Sequence, residues 1–554
     1  MRGSRYTPAL MRAALPPLAL LLLAAAPVAD RPDPPRVFAL TGATVVQAAG
    51  RTLEHATVVL RDGRIEAVGA RIPVPADALP VDLTGRWVYA GFLDPDARGQ
   101  TLPPKEEPRA SAASEPAGAL HPIAGIRPER RALDTLLAWS GDRRREAEAW
   151  RAAGYTALAV TPSRGVLRGS SALVQVHDGR TVREIVLRED AAQAASFESN
   201  GFGRAYPTSL MGAVAALRQT FLDAQRQRLW EERWAADPAS IARPEHVPAF
   251  DALAPVLARQ VPLLLEISDP ADLELADRLA REFDLDLAVS GTGFEWEEAD
   301  RAREAGRTVV LPLAFPDKPD LEEGDPGLDL TLRTLRRYAG AAAGPGRLHA
   351  AGVRVAFTTR GLKGLTDVLP NLRKIVEAGL PEDAALAALT VEPARLLHAD
   401  KLLGTVEPGK IANLLVCDGP LMAEKTRIVR TYVDGVEYRI PEKPGPKGDP
   451  NAVVDPRGTW SVTLDLGGGG AARTWILAGE KGAYTGTAET PSGTRAFDRV
   501  TLEGNLLTVR FTTARGTVEA TVVVQGDALE GTAEMGTRSG RVHGTRTAPP
   551  EGGP

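Results

Sequence analysis

The chain has 554 residues, of which 44% are hydrophobic and 25% are charged, and its formal net charge is −5. This composition is typical of a soluble globular protein, and the length predicts two or three domains. The 66 basic and 71 acidic side chains nearly balance. Proteins that bind nucleic acid usually carry a basic surface, so this charge balance gives no reason to expect a nucleic-acid partner.

The first thirty residues differ in character from the rest of the chain. Three arginines precede an apolar run at 13–26, which ends in three consecutive alanines. A basic start, a short apolar segment and small residues before a cleavage point are typical of a secretory signal peptide. We therefore expect a signal peptide at 1–29, a periplasmic or secreted protein, and no membrane span after cleavage. A membrane anchor is the alternative, but the run is short for a spanning helix and contains two adjacent prolines.

Short strand patterns lie on both sides of the central region. Residues 30–90 contain apolar, β-branched runs with the turn Asp62-Gly63 between two of them, and residues 401–440 repeat the pattern around Asp434-Gly435. Apolar runs separated by Asp-Gly favour antiparallel hairpins. Both segments are therefore predicted to be β-sheet.

The central region, residues 91–400, alternates strand-like and helix-like segments. Helical patterns such as 270–283, with Asp269 as a predicted N-cap, lie between short apolar runs. The predicted strands are 153–160, 261–267, 285–290, 308–313 and 353–359. This alternation favours an α/β fold of the TIM-like (β/α)8 barrel type. Residues 101–128, rich in Pro, Ala and Glu, are expected to form an irregular excursion.

The composition changes again after the central region. A linker rich in Pro, Gly and Lys is expected at 441–456, and a β-meander domain at 457–548. The second segment alternates apolar and polar residues between Gly-rich turns, as half-buried antiparallel strands do. Its start, Gly458-Thr459-Trp460, is similar to the Gly-x-Trp opening of lipocalin-like barrels. We expect an all-β small barrel or sandwich.

Cys417 is the single cysteine of the chain, so no intramolecular disulfide can form. A chain of this length buries a large core without disulfides, and their absence is compatible with export. The three residues before Cys417 are Leu, Leu and Val. This apolar setting predicts a buried structural thiol rather than a catalytic nucleophile.

Several segments carry a family resemblance. Residues 87–98 read as a buried strand that opens into a polar turn, and they resemble the first barrel strand of the amidohydrolase superfamily, with its PGxxDxH start. Residues 404–414 resemble the GxxxPGxxADLVV motif of that superfamily, with Asn413 in place of the usual aspartate. Three further stretches are similar to exported imidazolonepropionase-like amidohydrolases, namely 129–133, 165–174 and 205–212.

The resemblance implies a fold, an activity and a cofactor. The fold is a TIM-like barrel with a composite β-sandwich built from both flanks, and the activity is hydrolysis of C–N bonds in cyclic amides or small peptides. The cofactor is zinc, held by a His-x-His pair after the first strand, by histidines after the fifth and sixth strands, and by an aspartate after the eighth. A hydrolytic zinc ion needs such neutral imidazoles and carboxylates around one open position for water.

The residues of this chain differ from that ligand set at each position. Asp96 and Arg98 hold the places of the histidine pair. Glu266 holds the place of the histidine after the fifth strand, and Ser290 or Gly291 that of the histidine after the sixth. Arg360, after Thr359, holds the place of the aspartate. Arginine stays protonated and has no acceptor nitrogen, so it cannot ligate a metal. None of the seven histidines follows a predicted barrel strand, and His177, before Asp178-Gly179, is expected to be a solvated turn residue. We therefore expect the metal site, and the zinc cofactor, to be lost.

Three interpretations of the barrel mouth remain open. The first is a set of ion pairs that close the barrel top, formed by Asp94, Asp96, Arg98, Glu266, Asp269 and Arg360. The second is a pocket for a small anionic or zwitterionic ligand, formed by Asp94, Asp96, Arg98, Glu266, Ser290, Thr359 and Arg360, with the two arginines binding carboxylate. The third retains catalysis, with the carboxylates Asp94, Asp96 and Glu266 as acid, base or ligands of a hard metal ion. Asp96 and Glu266 are its candidate catalytic residues.

Two functions compete on this basis. The first is a degenerate amidohydrolase-like pseudoenzyme that binds a ligand or a partner, such as an active amidohydrolase paralogue. The second is an active hydrolase of cyclic amides or small peptides with a non-standard site. The metal content of the purified protein distinguishes them.

Export generates the first testable prediction. The mature chain should begin near Pro27 or Asp30, because the apolar segment ends in three alanines just before them. Amino-terminal sequencing of the protein recovered from its host measures this directly. A cytosolic protein that retains Met1 would contradict the prediction.

Overall fold

The structure is a computed structural model that describes residues 37–98, 121–123, 125–138, 143–178, 180–197, 206–319, 330–440, 446, 448–465, 471–480, 482–490, 493–513, 516–535 and 538–549. The expected signal peptide at 1–29 and most of the expected excursion at 101–128 lie outside these residues.

The two predicted flanking β segments form one eight-stranded mixed sheet in the described residues. Its strands are β1 (Val37–Ala48), β2 (Arg51–Arg61), β3 (Arg64–Gly69), β4 (Leu79–Asp82), β5 (Trp87–Ala90), β14 (Leu414–Cys417), β15 (Ile428–Val433) and β16 (Val436–Arg439). The first half of β1 pairs with β4 and its second half with β5, and β5 pairs with β14 from the other flank. Residues of both flanks, such as Val58 and Val416, share one buried cluster. The composite nature of this layer is thus confirmed.

The central region forms a nearly closed eight-stranded barrel in the described residues, which confirms the TIM-like fold. Its strands, in sheet order, are β6 (Phe92–Ala97), β7 (Tyr155–Val160), β8 (Leu167–Gln175), β9 (Val186–Ser196), β10 (Leu263–Glu266), β11 (Leu287–Ser290), β12 (Thr308–Pro312) and β13 (Val355–Thr358). All five predicted strands are present, with bounds shifted by one or two residues.

The barrel differs from an all-parallel one at a single strand. β8 is antiparallel to both β7 and β9, whereas the other neighbouring pairs are parallel. Only residues 161–166 connect β7 to β8, and a parallel crossover needs a dozen residues or more. The short connection therefore forces β8 to run antiparallel to β7. The amino-terminal end of β8 thus lies at the barrel mouth, the end of the barrel that holds the carboxyl ends of the parallel strands.

The helices surround the barrel and cover its outer face. Asp269 accepts a hydrogen bond from the Ala271 N–H at 3.1 Å and caps a 3-10 turn that leads into the predicted helix. The helices are α1 (Ala132–Ala138), α2 (Arg143–Ala152), α3 (Val182–Ile185), α4 (Leu210–Ala236), α5 (Pro248–Leu257), α6 (Leu273–Glu282), α7 (Ala299–Ala305), α8 (Leu332–Gly340), α9 (Gly344–Ala350), α10 (Val368–Glu377), α11 (Glu382–Leu389) and α12 (Val391–Leu396). No helix among the described residues has both the length and the apolar character to cross a membrane.

The carboxyl-terminal region is a curled, nine-stranded antiparallel sheet in the described residues. Its strands are β17 (Gly458–Asp465), β18 (Ala471–Glu480), β19 (Ala483–Thr490), β20 (Gly493–Ala496), β21 (Arg499–Glu503), β22 (Leu506–Thr513), β23 (Gly516–Gln525), β24 (Ala528–Met535) and β25 (Arg538–Ala548). The first strand pairs with the last, and the sheet edges are the consecutive strands β20 and β21. This is the order of an up-and-down barrel, and Trp460 and Trp475 fill its core.

Two single-residue predictions have different outcomes. Cys417 is buried on β14, as predicted, and burial raises the pKa of its thiol to about 12. The prediction for His177 is wrong, because the side chain is buried against Tyr438, whose hydroxyl lies 3.0 Å from its Nδ1 atom. Because β8 is antiparallel, the end next to His177 lies away from the mouth.

The carboxyl-terminal sheet should be removable. It shares no strand pairing with the other two sheets in the described residues, and it has its own buried core. A chain of residues 30–445 should be soluble and should unfold cooperatively on heating, as calorimetry can measure. Aggregation of that chain, with recovery when residues 457–548 are supplied, would show that the two parts share a core.

Candidate functional site at the barrel mouth

Alternation along the strands decides which side chains reach the barrel mouth. Leu264 on β10 and Ala288 on β11 belong to the cluster that fills the barrel interior. Successive side chains of a strand point to opposite faces, so Glu266 and Ser290, two residues further on, also face inward. They lie at the carboxyl ends of their strands, where TIM-like barrels usually carry their sites.

Glu266 lies at the centre of the charged cluster. Its Oε2 accepts hydrogen bonds from Nη1 of Arg98 at 2.6 Å and from Nη1 of Arg168, and its Oε1 accepts one from Nη1 of Arg360. Nη2 of Arg360 also donates to the backbone carbonyl of Gly291. Three guanidinium groups therefore bind one carboxylate, an arrangement we call the Glu266 cluster (Glu266, Arg98, Arg168 and Arg360).

Asp96, on β6, ties this cluster to β11. Arg98 binds it through both ends of the guanidinium, with Nε 2.6 Å from Oδ1 and Nη2 2.8 Å from Oδ2. The Ser290 hydroxyl donates to Oδ2 of Asp96 at 2.6 Å. Asp96 and Ser290 are both fully buried. The two residues at the former histidine-pair positions thus form a bidentate ion pair with each other, not a pair of ligands.

Asp94 connects the two strands at which the barrel closes. Its Oδ2 accepts from the Thr359 N–H at 2.8 Å and from the Thr359 hydroxyl at 2.6 Å, and its Oδ1 accepts from the Asp96 N–H at 2.9 Å. The Thr358 hydroxyl donates to the Asp96 carbonyl at 2.9 Å. These bonds join the ends of β6 and β13, and Asp94 is a structural residue of the seam.

All seven candidate site residues therefore meet at the mouth, and they are Asp94, Asp96, Arg98, Glu266, Ser290, Thr359 and Arg360. The ion-pair interpretation needs one correction, because Asp269 lies outside the cluster. Its carboxylate is 3.1 Å from Nη2 of Arg333 and 3.4 Å from that of Arg337, on α8. Its role as a helix cap turns it toward the outer helices.

Sequence reasoning missed Arg168 as a member of the cluster. It lies at the start of β8, whereas the sequence predicts site residues at the ends of strands. Since β8 is antiparallel, its start reaches the same mouth as the ends of the parallel strands. A signal was present, because Arg168 is a lone charge in a strand whose residues are all buried, and its side chain is only 1% exposed.

The electrostatics of the cluster follow from burial and from the facing charges. Burial alone would raise the pKa of Glu266, but the attraction of Arg98, Arg168 and Arg360 outweighs it and lowers that pKa to about 2. Burial and the nearby Arg98 lower the pKa of Arg168, against the opposing effect of Glu266. Burial also raises the pKa of Asp94, although its hydrogen bonds favour the charged form. Glu266 is therefore fully ionised at neutral pH.

A cavity of about 530 Å³ opens beside the Glu266 cluster, and we call it the mouth pocket. Glu266 and Arg360 are the charged side chains among its described lining residues. Its apolar lining includes Phe294, Leu311, Phe315 and Ile375. The side chains of Glu266 and Arg360 are 14% and 19% exposed, more than those of Arg98 and Arg168. They form the charged wall of an otherwise apolar pocket.

The residues at this mouth do not fit the zinc ion that the resemblance implies. The Asp96 and Glu266 carboxylates are already bound by guanidinium groups, the Asp94 carboxylate accepts from Thr359, and Arg98 and Arg360 cannot be ligands. Gly291 is next to Ser290, at the place of a later histidine. A Cβ atom added at Gly291 would lie 2.6 Å from the carboxyl carbon of the buried Glu295, so a side chain there would require Glu295 to move. In the described part of the chain, no three His, Cys, Asp or Glu side chains are grouped to hold a metal.

Comparisons with known proteins agree on the fold. The amidohydrolase family model matches residues 330–438. The imidazolonepropionase of Methylobacterium sp. strain 4-46 is 28% identical over 399 residues, which cover 67% of this chain and 90% of that protein. The dihydroorotase of Anaeromyxobacter dehalogenans strain 2CP-C is 40% identical over 58 residues, but these cover 10% of this chain and only 13% of that enzyme.

A solved structure has the same fold. The amidohydrolase of Thermotoga maritima MSB8 superimposes with a TM-score of 0.59 at 23% identity, over 73% of this chain and all of that one. The similarity to the imidazolonepropionase spans most of both chains and is distant. This chain is therefore similar in sequence to amidohydrolases, and it shares the fold of a solved one.

Proposed function

We propose that this protein is a degenerate, metal-independent amidohydrolase-superfamily member whose mouth pocket binds a small ligand through a carboxylate. The observation that carries the proposal is the Glu266 cluster, in which arginines hold the positions where the family resemblance places ligands. Guanidinium groups repel a dication and bind carboxylates, often through two parallel hydrogen bonds.

Arg360 supplies the binding group of the proposed site. A guanidinium has five N–H groups, and Arg360 donates one to Glu266 and one to the Gly291 carbonyl. The described residues offer no partner to the other three. Since Arg360 lines the mouth pocket, these groups can donate to an anionic ligand that enters it.

The same contacts argue against hydrolysis. A general base must accept a proton near neutral pH, so its pKa should lie close to that value. The pKa of Glu266 is about 2, far too low for this task, and Asp96 already accepts from Arg98 and Ser290. Neither candidate catalytic residue is placed to activate water.

The proposal includes the location of the protein. The arginine-flanked apolar segment supports export to the periplasm or beyond. There the barrel would act as a binding protein for its ligand, and an active amidohydrolase paralogue is the protein partner that its superfamily membership suggests.

Metal independence is the first test of this function. Protein purified without chelators should contain well under one metal ion per chain by elemental analysis. It should bind propionate by calorimetry with the same affinity before and after dialysis against a chelator, and Arg360→Gln should weaken that binding at least tenfold, about 1.4 kcal/mol. Stoichiometric zinc together with amidase turnover that vanishes in Glu266→Ala would overturn the proposal in favour of the hydrolase.

The pKa of Glu266 generates a stability prediction. Its folded pKa of about 2 lies below the ordinary 4.5, so ionised Glu266 contributes stability above pH 4.5 that is lost as the pH falls toward 2. The shift corresponds to about 3 kcal/mol. Glu266→Gln should therefore lower the free energy of unfolding by about this amount at pH 7, and the difference should shrink at pH 3.

Urea-induced unfolding at both pH values measures this difference. The matched control is Glu274→Gln, which removes an exposed ion pair with Arg278 on α6 and should cost less than about 0.5 kcal/mol. Equal effects of the two substitutions at pH 7 would show that the Glu266 cluster does not stabilise the barrel.

A further inference from the structure

We propose that the ligand of the mouth pocket is a small carboxylate with an apolar, preferably aromatic, body, and that Phe294 and Phe315 determine this specificity. The inference rests on the proposed carboxylate site at Arg360 and names the chemistry of the rest of the ligand. It follows from what lines the pocket beyond its charged wall.

The pocket is lined by few polar side chains. Apart from Glu266 and Arg360, Thr292 is a polar lining residue, and its hydroxyl is already occupied. It donates to the buried Glu295 carboxylate at 2.8 Å and accepts from the Phe294 N–H at 3.3 Å. A hydroxyl or amide on the body of a ligand would lose its water without a new partner, at a cost in binding free energy.

Most of the other lining residues are apolar, and they come from separate elements. Phe294 follows β11, Leu311 and Phe315 belong to β12 and the loop after it, and Ile375 lies on α10. Both phenylalanine rings are partly exposed. Partly exposed aromatic rings in a concave site favour an apolar ligand body, because covering them removes apolar surface from water.

Phe294 is also held in position from outside the pocket. The Arg337 guanidinium on α8 lies 4.6 Å from the centre of its ring, and the same guanidinium is 2.8 Å from the Glu297 carboxylate. A ring fixed in this way loses little conformational freedom when a ligand covers it. The volume of about 530 Å³ lies within the range of about 300–1,000 Å³ that pockets for small molecules span.

The test compares three probes on the full chain by isothermal titration calorimetry. They are 3-phenylpropionate, which has both features, propionate, which lacks the ring, and 3-phenylpropanamide, which lacks the charge. We expect 3-phenylpropionate to bind at least about tenfold more tightly than either of the others. Phe294→Ala and Phe315→Ala should each reduce this advantage several-fold while changing the affinity for propionate less than about twofold.

Matched variants separate specificity from folding. Tyr338→Ala removes an exposed aromatic ring on α8 that is not among the pocket residues, and it should leave all three affinities unchanged. Phe294→Leu and Phe315→Leu keep most of the apolar volume and serve if either alanine variant unfolds. They should retain propionate binding and lose part of the preference for the phenyl group.

The outcomes distinguish this inference from the proposed function. Equal affinities for propionate and 3-phenylpropionate, with no effect of the phenylalanine substitutions, would overturn the inference and leave the carboxylate site in place. Binding of 3-phenylpropanamide as tight as that of 3-phenylpropionate would overturn the carboxylate site. Absence of binding by both carboxylates at millimolar concentration would overturn both.

Discussion

The binding of one carboxylate by three guanidinium groups is the interaction on which the barrel mouth depends. Glu266, Arg98, Arg168 and Arg360 come from strands that are far apart in sequence, and Glu266 is the acceptor that they share. Removing ions from water is costly, and such a cluster is stable only when each charge has close, well-oriented partners. Loss of Glu266 would leave three cations close together in a largely buried place. The carboxylate therefore balances the charge of the three guanidinium groups at the mouth.

The antiparallel strand and this cluster belong together. The first two residues of β8, Leu167 and Arg168, reach the mouth only because β8 is antiparallel to β7. Asp94 and Asp96, meanwhile, bind Thr359 and Thr358 across the seam between β6 and β13, where the strand ladder of the described residues does not close. Charged and polar side chains thus complete a barrel whose backbone pairing stops short of a full circle.

Fold and site chemistry are separate questions in this protein. The barrel and the composite sheet establish the fold, which a solved amidohydrolase shares, and the sequence is distantly similar to that of an imidazolonepropionase. The reaction of a hydrolase needs a metal ion or a poised base, and neither the arginines nor the low pKa of Glu266 supplies one. A shared fold therefore does not fix a shared function, and the side chains at the strand ends decide it.

The sequence by itself predicted the layers of the fold, several strands of the barrel and a set of candidate residues at its mouth. Apolar runs such as 308–313 predicted the parallel strands, and motif positions predicted Asp96, Arg98, Glu266 and Arg360 at one mouth. It could not show that Arg168 joins them or that Asp269 does not, since strand direction and the geometry of a helix cap decide these contacts.

The sequence also left open whether the charged residues pair with each other or await a ligand. The tertiary structure decided that they pair around Glu266 while Arg360 and Glu266 still line a pocket. The physical reason is that the strength of an ion pair depends on distance and burial, which exist only once strands distant in sequence are brought together.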